Sequence, residues 1–173
     1  CDWVIAPASV SQLVEATAYN IAASLLTKLS YVGVMTLEFF YGSSGLFVNE
    51  VAPRTHNSGH FSIEACSSSQ FDQQLCIAAG LDVPNPDLIA DGSLMVNLLG
   101  LNPESAEPLE ERLAKLRSIE ALHLHWYGKA EIPGRKLGHV TTLLKGHSAH
   151  ERAETGQQML QCIREIWPLP LNW

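Results

Sequence analysis

The chain has 173 residues, 46% apolar and 17% charged, so it can bury the core of one ordinary domain or two small ones and is not a disordered chain. Its net charge of −7 argues against nucleic acid as a partner. No apolar run of about 18 residues and no basic-then-apolar leader marks a membrane span or a signal segment, so no membrane partner is expected. Four cysteines, Cys1, Cys66, Cys76 and Cys162, lack CxxC spacing and point to a reducing cytoplasm.

The chain begins without Met on an extended apolar run, a strand across 2–7, and reads as a chain entered mid-domain. Leu13, Val14, Ala18, Ile21, Ala22, Leu25 and Leu29 recur at the helical period and predict a helix up to residue 29, with Ser9 or Ser11 as its cap. Two β-rich runs, 31–41 and 46–52, flank Gly-Ser-Ser-Gly and predict a hairpin. Residues 69–81 predict a helix closed by Gly80. The prolines of Asp-Val-Pro-Asn-Pro-Asp (82–87) mark a boundary. Beyond it come a strand at 93–101, a helical stretch at 103–119 interrupted by Pro108, strands at 121–127 and 137–145, and a closing helix at 148–167 with Gly156 as a blemish. The order is α+β, in two parts, 1–83 and 84–173.

The hairpin register decides what its charges do. With residues 43–45 as a three-residue loop, Glu38 faces Glu50, their Cβ atoms roughly 5 Å apart. A two-residue loop would put Asn49 opposite Glu38 instead. Facing carboxylates between apolar neighbours repel, and burying them bare is costly. Three remedies stay open: a solvated face, a shared proton, or a hard divalent cation such as magnesium, whose preferred ligands are carboxylate and amide oxygens.

Directly after the second strand comes Asn-Glu-Val-Ala-Pro-Arg-Thr-His-Asn-Ser-Gly-His, residues 49–60. His56 and His60 are four apart, but Pro53 and Gly59 disfavour one helix through both, and no Glu follows the first His, which argues against zinc. Arg54, His56 and Asn57 then either offer donors to an oxyanion or form an incidental surface loop. A second cluster, Lys129, Arg135 and Lys136, surrounds a Pro133-Gly134 turn, and serves either as a phosphate site or as a solvated turn. His123 and His125 share one strand face and read as packed sheet residues.

Taken together, GVMTLEFF…GLFVNEVAPRTHNSGHFSIEACSSSQFDQQLCIAAGL and LHLHWYGKAEIPGRKLGHV closely resemble the 5-(carboxyamino)imidazole ribonucleotide synthase family of ATP-grasp enzymes, the ATPase subunit of phosphoribosylaminoimidazole carboxylase. The resemblance implies the C-terminal half of an ATP-grasp domain, an antiparallel sheet with helices, followed by a small mixed α/β domain. It implies ATP and magnesium as cofactors, and aminoimidazole ribonucleotide and bicarbonate as substrates. The products are the carboxylated amine, ADP and phosphate, with carboxyphosphate between. By the same resemblance Glu38 and Glu50 are magnesium ligands, and Asn49 and Glu50 bind ATP. Arg54, His56 and Asn57 receive bicarbonate and substrate, Lys129, Arg135 and Lys136 hold the ribonucleotide phosphate, and the whole protein is a homodimer. The family's first ATP-grasp lobe has no counterpart in this sequence, so the chain alone is expected to be inactive. Another ATP-grasp ligase, such as the formate-using transformylase of the same pathway, and a non-catalytic nucleotide-binding module are the competing readings.

Overall fold

The computed structural model describes residues 1–102, 104 and 106–170. They form two compact units, one of Cys1–Pro7 with Leu88–Trp173 and the other of Ala8–Asp87. The first strand and the helix that follows it in sequence therefore belong to different units.

The first unit is built on a four-stranded antiparallel sheet, in the order β1 (Trp3–Ala6), β4 (Gly92–Leu99), β6 (Lys136–Leu144) and β5 (His123–Trp126). β4 is buried at every residue, which is why its sequence is nearly continuously apolar rather than alternating. Its partners are far apart in the chain: Trp3 pairs with Val96 on one side, and Val140 with Val96 on the other. Helices α4 (Leu109–Arg117) and α5 (Ala149–Ile166) cover the sheet, and Leu94, Val96, Leu98, Leu113, Leu116, Val140, Ile163 and Trp167 form the core.

Two residues of these helices matter to their placement. Helix α4 starts directly after Pro108 and does not run through it, because proline's ring and missing N–H suit a helix start and not an interior. Pro103 and Ser105, within the expected helical stretch, lie outside the described residues. Gly156 is buried where α5 approaches β1: a Cβ there would lie 2.7 Å from Ile5 Cδ1, so a larger residue would have to push that side-chain tip aside. Beneath the helices, Arg112, 1% exposed, gives two hydrogen bonds of 2.8 and 2.9 Å to the Glu131 carboxylate, and its guanidinium lies 4.2 Å from the Trp167 ring centroid. Leu101 N–H donates to the same carboxylate, so the buried charge is neutralised and the carboxylate hydrogen-bonded, while Arg112 Nη1 is left without a partner among the described residues; Trp167 Nε1 donates to Leu99 O.

The second unit has a thinner core. Helix α1 (Gln12–Leu29) begins at Ser11, whose hydroxyl accepts from Val14 N–H, but none of its residues is fully buried. Its predicted apolar stripe is only half covered: Ile21 and Leu25 face Leu37, Val48 and Val51 across an open groove of about 480 Å³. The hairpin is β2 (Thr36–Gly42) and β3 (Gly45–Ala52), with Phe40 and Phe47 exposed. A single 3-10 turn (Asn57–Gly59), the short helix α2 (Ser62–Ala65) and helix α3 (Gln70–Ala79) follow. Gly80 ends α3 in the left-handed conformation, φ +66°, as its sequence predicts. Among the described residues, no helix is long and apolar enough to cross a membrane.

Helix α3 starts with a reciprocal cap. Ser69 Oγ accepts from Asp72 N–H, and Ser69 N–H and Oγ–H both donate to the Asp72 carboxylate. The Ser69 hydroxyl first, then its backbone N–H, hold the Asp72 carboxyl below its ordinary range. A depressed carboxyl stabilises the fold above its unfolded pKa, and that contribution is lost as pH falls through the lowered folded value. Asp72→Asn should therefore lower the melting temperature at neutral pH. The gap from the parent should close as pH falls below about 4, a trend that thermal melts across that range will read.

Candidate functional site

The hairpin loop has two residues, not three: Gly42 pairs with Gly45, and Gly45 takes φ +103°. Carried straight on, that register would put Asn49 opposite Glu38. It is not carried on. The pairing runs Phe39 with Val48 and then shifts, so that Glu38 pairs with Glu50 and Asn49 is the extra residue of a β-bulge. The expected facing pair is therefore present, reached by a bulge rather than by a longer loop. Asn49 Nδ2 donates to Glu38 Oε2 at 3.3 Å. The pair is not buried between its apolar neighbours: the side chains of Glu38 and Glu50 are 31% and 50% exposed. Water reaches both, and the repulsion is correspondingly screened.

His56 completes this group. Its Nε2 lies 3.4 Å from Glu38 Oε1 and 3.8 Å from Glu50 Oε1, while its Nδ1 accepts from Ser58 N–H and lies 2.9 Å from Ser58 Oγ. An Nδ1 that accepts leaves the ring proton on Nε2, facing the carboxylates. Arg54 stands apart from it, exposed, with Nη1 donating to Thr55 O, and Asn57 opens the 3-10 turn. His60 is turned elsewhere: its Nδ1 shares a hydrogen bond of 2.9 Å with Gln70 Nε2, and its ring lies 5.3 Å from that of Phe71. The two histidines do not share a helical face.

The residue that sequence reasoning missed is Gln70, 8% exposed. Its Oε1 accepts from His56 N–H at 2.9 Å, and its Nε2 donates to His56 O at 2.8 Å, so one carboxamide grips the His56 backbone from both sides. A Cβ on Gly59 would lie 2.8 Å from Gln70 Oε1, which explains why glycine stands in that turn. The cap signal Ser-x-x-Asp at 69–72 puts Gln70 at the first position of α3, but nothing local shows what its side chain reaches 14 residues back.

In the other unit, Tyr127 N–H donates to Leu137 O, extending the β5–β6 ladder by one step, and residues 128–135 link the strands. Arg135 N–H donates to Ile132 O at 3.0 Å with Gly134 at φ +77°, a turn that proline and glycine favour at these positions. Lys129, Arg135 and Lys136 thus all leave from one end of this strand pair. His125 is packed as expected, its ring stacked on that of His139 at 4.5 Å, whereas His123 is exposed.

Among the described residues, no three His, Cys, Asp or Glu side chains form a ready metal-ligand group. Two carboxylates beside an amide suit a hard cation that fills its remaining positions with substrate oxygens and water, not a closed zinc centre.

The ATP-grasp domain family matches residues 1–71, and the phosphoribosylaminoimidazole carboxylase C-terminal domain matches residues 93–154. The chain thus combines an ATP-grasp segment with that C-terminal domain. It belongs to the N5-carboxyaminoimidazole ribonucleotide synthase family. The synthase of Synechococcus elongatus is 46% identical over 171 residues, which are 98% of this chain and 43% of that protein. That of Synechocystis is 38% identical over 177 residues, 96% of this chain and 45% of that protein. The crystal structure of N5-carboxyaminoimidazole ribonucleotide synthetase from Thermus thermophilus superposes with a TM-score of 0.81 at 36% identity, covering 99% of this chain and 44% of that one. The Aspergillus clavatus synthase in complex with ADP and 5-aminoimidazole ribonucleotide gives 0.77 at 31% identity, over 94% of this chain and 44% of that one. The chain therefore spans less than half the length of the relatives it matches.

Replacing Gln70 by Met keeps the volume but leaves His56 N–H and C=O without their partners. Unsatisfied groups of this kind cost about 1–3 kcal/mol, which chemical denaturation should register, whereas a change within error would mean the grip is dispensable.

Proposed function

We propose that this chain forms part of an ATP-dependent carboxylating ligase that converts 5-aminoimidazole ribonucleotide, bicarbonate and ATP into the N5-carboxylated ribonucleotide, ADP and phosphate. Its membership of the synthase family supports this reading, and the observation that carries it is the bulge that turns Glu50 across from Glu38 with Asn49 alongside. In this reading the residues up to about 83 are the later lobe of the ATP-grasp domain, and 84–173 the small C-terminal domain. The whole protein is a cytoplasmic homodimer, and this chain alone does not turn over.

Glu38 and Glu50 are the residues that would hold magnesium, with Asn49 and Glu50 beside the ATP phosphates. Bound there, the cation supplies neutralisation of charge on the phosphate oxygens. A bicarbonate oxygen attacks the γ-phosphorus, ADP leaves, and the substrate's amine then attacks the carbon of the resulting carboxyphosphate and releases phosphate. Arg54, His56 and Asn57 would orient bicarbonate and amine. His56, with its Nε2 toward the carboxylates, ties the oxyanion loop to the metal pair through one side chain. Lys129, Arg135 and Lys136 would bind the ribonucleotide phosphate, a dianion suited to a basic turn in an acidic chain.

In the full-length protein, Glu50→Gln should lower kcat by about 100-fold or more with circular dichroism unchanged; near-normal turnover would remove the metal assignment. Arg135→Ala should raise KM for the ribonucleotide about tenfold and leave KM for ATP alone. Equal effects on both would move the phosphate site elsewhere.

A further inference from the structure

Lys129 is an exposed lysine on a loop, and a free lysine side chain must give up considerable rotamer freedom to hold an anion. Here its ammonium lies 5.1 Å from the centroid of the Tyr127 ring, within the range at which a ring face attracts a cation. The ring itself is anchored. Tyr127 Oη and His139 Nδ1 share a hydrogen bond of 2.7 Å, and His139 is only 2% exposed. His139 sits in β6 between Asn97 of β4 and His125 of β5, and its ring is stacked on the His125 ring with an interplanar angle of 14°. A chain of contacts thus leads from the centre of the sheet, through an imidazole and a phenol, to a surface ammonium. Burial also pushes the Tyr127 phenol up, which keeps its hydroxyl protonated and hydrogen-bonded at neutral pH.

We propose that Tyr127 and His139 are positioning residues for Lys129, holding its ammonium at the end of the β5–β6 pair, ready for the phosphate of a sugar-phosphate ligand. This rests on the reading of Lys129, Arg135 and Lys136 as the phosphate site. Packing alone would fix the ring but would give its removal no selective effect on that ligand.

The test is a double-mutant cycle of Lys129→Ala and Tyr127→Leu in the full-length protein, with KM for the ribonucleotide, KM for ATP and kcat measured separately. Tyr127→Leu should raise KM for the ribonucleotide about threefold to tenfold, with KM for ATP and kcat unchanged. In the Lys129→Ala background it should add nothing, because the group it positions is gone. Tyr127→Phe keeps the ring and loses only the anchor, so its rise should be smaller, about twofold, and it serves in the same cycle if the leucine variant does not fold. Additive effects, or no effect of either tyrosine variant, would overturn the positioning role and leave Lys129 as a phosphate ligand. A Lys129→Ala protein with unchanged KM for the ribonucleotide would overturn the phosphate reading, and the positioning role with it.

Discussion

Two like charges face each other across the β2–β3 ladder because one extra residue, Asn49, is accommodated in β3. Side chains alternate along a strand, so without the bulge the residues beyond Val48 would meet β2 one step out of register, and Glu50 would lose its place opposite Glu38. The arrangement persists because both carboxylates keep water on one side, because Asn49 donates to Glu38, and because the His56 ring closes the other side. His56 in turn depends on Gln70, which fixes its backbone from α3. The acidic pair, the loop and the start of the helix are one connected device.

Local signals carried most of the secondary structure. Gly80 as the end of α3, Ser11 as the start of α1, the prolines near the unit boundary and the hairpin itself each depend on residues close in sequence. Short-range rules are reliable for such features because the competing conformations differ within a few residues. The Glu38–Glu50 pairing was legible too, although by a different route from the one the turn suggested. A bulge carries no composition signal here: Asn49 offers neither a glycine nor a proline to mark it.

What stayed hidden was non-local. Nothing in the stretch around Gln70 shows that its carboxamide spans to His56, and nothing around Tyr127 shows that its hydroxyl meets His139 across a hairpin. The Arg112–Glu131 pair is likewise invisible, since a charged residue on an amphipathic helix reads as solvent-facing until the tertiary fold buries it. Each of these is a polar group satisfied by a distant partner, and such pairings depend on topology rather than on period or propensity.

β1 has a consequence for how the molecule is assembled. Among the described residues, the strand beside β4 on that side is β1, about ninety positions earlier in the chain, with a complete compact unit inserted between them. A ribosome must therefore release the whole insertion before the sheet can close, and until then the paired groups of β4 on that side stand open. A polypeptide begun at residue 88 would carry the same open ladder permanently, beside a strand apolar on both faces, and such an edge recruits strands from other molecules. β1 is thus the guard of the central strand, and its removal would be felt first as aggregation.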